Sequence, residues 1–178
     1  MKTFCRILLL FVVCLPVYAQ KGQFLTVDDY RNKVFSEPVS WQTLWVSKAA
    51  REDLSQILGR QFAGLRLRYW GQGQRTAWIF EEIGKELPIT VGISVGQGGI
   101  EDVTILEYRE SCGGEVRYSF FTDQFKGVSL EDGDDRSLDS HIDGITGATL
   151  SVRALKKIAR LALYCHEMTP FSKPQEDV

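Results

Sequence analysis

An α+β fold is predicted by three features of this 178-residue chain. Two pairs of strand-like runs are each joined by a turn built on Gly and Gln, a long amphipathic helix pattern closes the chain, and two short helix patterns precede the strands. The expected architecture is an antiparallel twisted sheet of two hairpins, with a C-terminal amphipathic helix and short N-terminal helices.

The first nineteen residues are expected to be a leader. Met1, Lys2 and Arg6 precede Ile7 to Tyr18, ILLLFVVCLPVY, a run shorter than the about 20 residues that cross a hydrocarbon core. Val17-Tyr18-Ala19 ends on the small residue that signal peptidase accepts, so residues 1–19 read as a signal peptide cleaved after Ala19. A permanent anchor helix is the alternative, opposed by Pro16 and the short run. Bulky Val12 and Val13 oppose lipidation at Cys14. No second apolar run reaches spanning length, which implies a soluble mature protein in an exported, oxidising compartment, periplasmic, with peripheral attachment to the membrane left open.

Residues 20–64 read as an N-terminal helical segment. Thr26 caps a short helix in which Asp29 completes a small capping box and Tyr30, Val34 and Phe35 recur at helical spacing, ending near Pro38. Ser47 caps a second helix, Lys48 to Leu58, with Ala50, Leu54 and Leu58 on one side and Gly59 as its stop. The two are expected to support one edge of the sheet. Residues 65–170 carry the main domain. LRLRYW and RTAWIFEEI flank Gly71-Gln72-Gly73-Gln74, and ITVGISV and IEDVTILEY flank Gly96-Gln97-Gly98-Gly99. The second Gly cluster lacks the Lys-Ser/Thr and following helix of a phosphate loop, so it reads as a turn. Val116, Phe120, Phe121 and Gln124 suggest a short helix over 115–125, and the acidic stretch 128–140 a surface loop. Val152, Leu155, Ala159, Ala162 and Leu163 then place an amphipathic helix from Leu150 to about Met168, stopped by Pro170. Residues 171–178 are expected to be a disordered tail.

Composition narrows the function. The chain is 44% hydrophobic and 25% charged, a balance that supports a real core and excludes a disordered or collagen-like chain. Lys and Arg number 21 against 23 Asp and Glu, which gives no basic stripe to neutralise phosphates and argues against nucleic acid as a partner. Beyond the leader, Cys112 and Cys165 remain, and sequence leaves open either a disulfide or two thiols. No Cys-x-x-Cys occurs, which excludes covalent haem and a thioredoxin-like dithiol. His141 and His166 lack the spacing of a zinc pair, so no metal site is expected.

The stretch that carries chemistry is Asp143-Gly144-Ile145-Thr146-Gly147-Ala148-Thr149-Leu150-Ser151, where the chain enters its last helix. Small residues and hydroxyls there leave the first N–H groups of the helix and the positive end of its dipole open to an anion such as phosphate. Read from the residues alone, Thr146, Thr149 or Ser151 equally well simply caps the helix.

Asp143 to Thr149, DGITGAT, resembles the flavinylation motif of the FMN-binding domain family, the domain carried by the sodium-translocating NADH:quinone reductase and by the Rnf complex. It matches that motif at every place: Asp, two small or aliphatic residues, Ser or Thr, Gly, Ala or Ser, then Thr. Glu110-Ser111-Cys112-Gly113 is similar to the family's Glu-Thr-x-Gly segment, with Ser111 in place of Thr, and the resemblance spans roughly residues 78 to 165. It implies FMN as cofactor, joined through its phosphate to Thr149 by a separate flavin transferase that uses FAD as donor. The isoalloxazine then stays unsubstituted and redox-active. By the same resemblance Asp143 binds Mg²⁺ or orients the transferase, or else is an ordinary loop or capping acid before a helix; Gly144, Gly147 and Ala148 let the phosphate approach the backbone, and Thr146 and Ser151 donate to its oxygens. Glu110 and Ser111 lie near the ring. Trp78 and Tyr108 are further aromatics able to stack on it, or are core. Arg153, Lys156, Lys157 and Arg160 read as a solvated helix face.

The function expected is an exported flavoprotein carrying covalently bound FMN and passing electrons between a redox donor and acceptor, a membrane reductase among the candidates. No catalytic acid, base and nucleophile constellation is visible. The alternatives are a periplasmic flavin-dependent reductase of a small acceptor and a non-redox binding module in which the motif is structural.

Overall fold

The computed structural model describes residues 22–133 and 136–173. The expected leader, 1–19, and residues 174–178 of the expected tail lie outside the described residues.

Local capping chemistry starts both N-terminal helices. Thr26 Oγ1 accepts from the Asp29 N–H at 3.1 Å and donates to the Asp29 carboxylate at 2.6 Å, opening α1 (Val27–Val34). Ser47 Oγ accepts from the Ala50 N–H at 3.2 Å to open α2 (Lys48–Leu58), which stops at Gly59.

The two expected hairpins are present as β3 (Arg66–Gln72) with β4 (Arg75–Ile83), and β5 (Pro88–Gly96) with β6 (Gly99–Tyr108). Two further strands lengthen the sheet to six: β1 (Gly22–Gln23) pairs with β6, and β2 (Gln42–Trp45) pairs with β3. All pairings are antiparallel, in the order β1-β6-β5-β4-β3-β2. Strand β3 changes partner along its length, pairing with β2 over Arg66–Tyr69 and with β4 over Tyr69–Gln72.

The sheet is covered on both faces. The helix α4 (Thr149–Glu167) lays Val152, Leu155, Ile158, Ala159 and Ala162 on the face formed by Trp78, Val91, Ile93 and Ile105, and α2 packs on the same side. On the other face Tyr30 and Phe35, from and just after α1, pack with Trp70, Ala77 and Leu106. The N-terminal helices therefore sit on opposite faces rather than together at one edge. The reason is β2, which lies between them in sequence and forms the sheet edge, so the chain passes from one face to the other around it.

The segment after β6 differs from the single helix expected over 115–125. It bends through a 3-10 turn (Gly114–Arg117), a one-turn helix α3 (Ser119–Thr122) and a second 3-10 turn (Asp123–Phe125), with Tyr118 extended between the first two. The breaks let Val116, Phe121 and Phe125 all turn into the core while Phe120 points out. Bonds from Ile100 N–H to Val128 C=O (2.9 Å) and from Gly127 N–H to Ile100 C=O (2.7 Å) bring the segment back to the start of β6. Among the described residues, no helix is long and apolar enough to cross a membrane.

Gly92 in β5 marks how closely α1 approaches the sheet. A Cβ there would stand 2.7 Å from Tyr30 ring carbons and 2.8 Å from Leu106 Cδ1. Overpacking of this kind costs about 1–3 kcal/mol, so Gly92→Ala is expected to lower the urea midpoint accordingly, with an unchanged m-value. An unaltered midpoint would show that α1 is not seated on the sheet as described.

Candidate functional site

The fold brings the two stretches singled out by sequence into contact at the amino end of α4. Tyr108, at the end of β6, is fully buried, and its hydroxyl lies 2.5 Å from Cys112 C=O and 2.9 Å from Ser151 Oγ. A phenol has one proton to give. With that proton on the carbonyl, Ser151 Oγ donates to the phenol oxygen. Burial first, then the charges of Glu110 and Glu115, push the Tyr108 phenol above its ordinary value against the opposing bond to Ser151. Gly113, with φ +83°, completes the contact: a Cβ there would be 2.9 Å from Tyr108 Oη, 3.0 Å from Ser151 Oγ and 3.3 Å from Ala148 Cα. No other residue fits without moving the helix end.

Glu110 is 4% exposed, and one of its carboxylate oxygens accepts from three successive backbone N–H groups, Lys85 (2.5 Å), Glu86 (2.6 Å) and Leu87 (2.9 Å). Burial alone would raise its pKa, but the three N–H bonds and the Lys85 charge outweigh it and hold the carboxyl below the ordinary range. Glu110 thus ties the β4–β5 turn to the 110–113 loop. Ser111 and Cys112 on that loop are exposed. Cys112 and the buried Cys165 are both free thiols.

The motif itself runs along the outside of the 113–125 segment. Asp143 N–H donates to Gln124 Oε1 at 2.7 Å and Ile142 is buried, which anchors one end. The Asp143 carboxylate is exposed, 3.5 Å from His141 Nε2. Gly144 and Thr146 are exposed, and a turn closed by Ala148 N–H to Ile145 C=O (3.0 Å) follows, with Gly147 at φ +85° in the position that favours glycine. Ala148 is buried at the other end.

Thr149 is the exposed first residue of α4, and no side chain caps the helix. The first intrahelical bond is Val152 N–H to Ala148 C=O (2.9 Å), so the N–H groups of Thr149, Leu150 and Ser151 have no carbonyl one turn back. The capping alternative for Thr146, Thr149 and Ser151 is therefore not realised. The Ser151 side chain is turned inward, to Tyr108. The donor set left open, three N–H groups at the positive end of a 19-residue helix beside exposed hydroxyls, suits a phosphate group.

Other residues are placed differently from a ring contact. Trp78 is fully buried, stacked on Tyr69 (4.7 Å) and Phe80 (5.7 Å), with its Nε1–H given to Thr76 Oγ1 at 2.9 Å. Like Tyr108, it is core. Of the cations on α4, Lys157 bonds the buried Glu82 carboxylate at 3.0 Å and Arg160 Nε bonds Arg136 C=O at 2.6 Å, while Arg153 is exposed. Sequence reasoning missed Gln124 as the anchor of Asp143, and it missed the exposed aromatic pair Tyr118 and Phe120, whose ring centroids are 6.3 Å apart. Helical spacing places Phe120 inside; nothing local reveals the extended break at Tyr118.

Because the Glu110 carboxyl is held below its ordinary value, its contribution to stability is complete above the usual glutamate range and is lost as pH falls through the lowered value. Glu110→Gln is expected to destabilise the fold at neutral pH by about 1.5–3 kcal/mol, the range for hydrogen bonds to a charged group. It should also flatten the acid limb of the stability–pH curve, read by urea unfolding at several pH values. Parallel acid limbs in parent and variant would contradict the assignment.

Residues 84–164 match the family model of the FMN-binding domain. No curated protein and no solved structure matches the chain. The matched stretch begins at the turn that Glu110 holds and runs through β5, β6, the 110–113 loop and the 143–149 motif into α4. Residues 84–164 of this chain are thus similar to the FMN-binding domain, and that similarity supports FMN as the cofactor.

Proposed function

We propose that FMN is joined through its phosphate to Thr149 Oγ1, and that the protein is an exported carrier passing electrons between redox partners. One observation carries the reading: Thr149 presents an exposed hydroxyl at the uncapped amino end of α4, while Ser151 is committed to Tyr108.

Attachment needs FAD as donor and a flavin transferase. The Thr149 oxygen bonds to the FMN-side phosphorus, the bond from that phosphorus to the bridging oxygen breaks, AMP leaves, and the hydroxyl proton passes to a base of the transferase. On this chain, the free N–H groups of Thr149 to Ser151 and the Thr146 hydroxyl hold the phosphate oxygens. Gly144 and Gly147 keep the approach clear, since a Cβ at either would meet no atom within 4 Å. Asp143 stands exposed where the transferase or its Mg²⁺ reaches the motif. Once bound, FMN supplies the redox chemistry. Glu110 works by fixing the loop that presents Ser111 toward the cofactor, not by touching it, because the oxygen facing the turn is already shared by three N–H groups. The apolar run at Ile7–Tyr18 supports export. The exposure of Gly144, Thr146, Gly147 and Thr149 supports a carrier, which needs only an open approach to the cofactor, over a reductase, which needs a pocket beside the ring.

Coexpression with a flavin transferase is expected to add the mass of FMN less one water to the parent protein and nothing to Thr149→Ala. Ser151→Ala should keep the added mass, at a cost of about 0.5–1.5 kcal/mol in stability from the lost bond. Intact-mass spectrometry of the three proteins decides. Flavin retained by Thr149→Ala, or an unmodified parent, would defeat the reading.

A further inference from the structure

We propose that the β2 edge of the sheet is a docking surface for an anionic lipid bilayer. The surface lies apart from the flavin site and does not depend on it.

Trp45 and Leu65 are 71% and 61% exposed, among the most exposed large apolar side chains described. A lone exposed apolar residue is ordinary, but these stand beside uncompensated charge. The β2–β3 register sets Trp45 opposite Arg66 and Thr43 opposite Arg68, which places all four on one face of the two-strand ribbon. Leu65 adjoins Arg66 and bonds across to the residue that follows β2, its carbonyl accepting from Val46 N–H at 3.0 Å. Trp41 continues the same face, 44% exposed, with its ring stacked 3.8 Å from that of Trp70.

Arg66 and Arg68 are exposed, and neither has a carboxylate partner among the described residues. That contrasts with Arg31, Arg60, Arg75, Arg109 and Arg136, each of which is paired with an Asp or Glu. In a chain of net charge −2, two unpaired arginines beside an exposed indole form a local positive spot. Strand β2 is also the outermost strand of the sheet on this side. An uncovered edge with a large apolar side chain favours unwanted pairing unless something occupies it.

The size and chemistry of the patch select the occupant. A stable protein interface takes roughly 20–30 residues a side, and this strip offers a handful. The headgroup layer of a bilayer is suited to it. An indole settles where one end is apolar and the other wet, and a guanidinium forks onto phosphate oxygens. Each arginine near an anionic bilayer contributes about 1 kcal/mol. Three strands separate β2 from β6, so Tyr108 and the amino end of α4 lie about four strand spacings, about 19 Å, from the docking edge. A bilayer on β2 leaves the Thr149 end free.

Protein recovered from cells as they process it is mixed with vesicles containing phosphatidylglycerol and, in parallel, with vesicles of phosphatidylcholine alone. Cosedimentation is expected with the anionic vesicles, weakening as salt is added, together with quenching of tryptophan emission by lipids brominated near the headgroup. The double variant Arg66→Glu with Arg68→Glu should lower partitioning by roughly thirtyfold or more, and Trp45→Ala should reduce both partitioning and quenching. These positions are exposed, so the variants are expected to keep the circular dichroism and unfolding midpoint of the parent. Equal binding by parent and variants, equal binding to both vesicle types, or no sedimentation of the parent overturns the proposal. Thr149→Ala should bind as the parent does, so a failure of the flavin assignment leaves the lipid result unchanged, and the reverse.

Discussion

The site depends on one buried hydroxyl. Tyr108 gives its proton to Cys112 C=O and receives that of Ser151, and so joins the end of β6, the 110–113 loop and the first turn of α4 at a single oxygen. Left unpaired, a buried polar atom costs about 1–3 kcal/mol. The three groups are therefore held together more firmly than the exposed residues around them. Gly113 enforces the same contact sterically, since Tyr108 Oη, Ser151 Oγ and Ala148 Cα occupy the space a side chain would need.

The setting of α4 against the sheet determines which hydroxyl takes part in that bond and which faces outward. Residues two apart on an α-helix stand about 200° apart around its axis, so Thr149 and Ser151 cannot both point into solvent. The rotation of α4 is set along its length by Val152, Leu155, Ile158, Ala159 and Ala162 against the sheet, and Ser151 falls on the inward side with them. Thr149 is left outside. Which hydroxyl is left outward is thus set by the packing of a 19-residue helix rather than by any feature of the loop.

What could be read in advance was what is local. Thr26, Ser47 and Gly59 act within a turn of themselves, and both helices begin where their capping residues stand. The two hairpins announce themselves by alternation and by glycine turns. Strands β1 and β2 do not, because two and four residues are too few to display a period, and they exist only because β6 and β3 offer free edges. The placement of α1 and α2 on opposite faces follows from β2 and was hidden with it. Glu110 was legible as a residue of interest but not in its work, since its partners at Lys85, Glu86 and Leu87 are more than twenty residues back. Phe120 misled for the opposite reason: its helical spacing from Val116 and Gln124 is real in sequence, and the extended backbone at Tyr118 interrupts it.

The openness of the site bears on what the proposed bond to the cofactor would contribute. Gly144, Thr146, Gly147 and Thr149 are all exposed, so a phosphate held there keeps much of its contact with water. A helix amino end under such conditions contributes about 0.3–1 kcal/mol to holding an anion, a factor of only about five in affinity at the upper limit. Glu110, whose charge reaches the Tyr108 phenol, stands as a carboxylate partly spread over three N–H groups, and its sign opposes that of a phosphate. These terms orient a phosphate without retaining it against dilution. The proposed phosphoester at Thr149 would remove retention from the balance of weak forces. The backbone N–H groups of Thr149 to Ser151 would then only have to orient the phosphate.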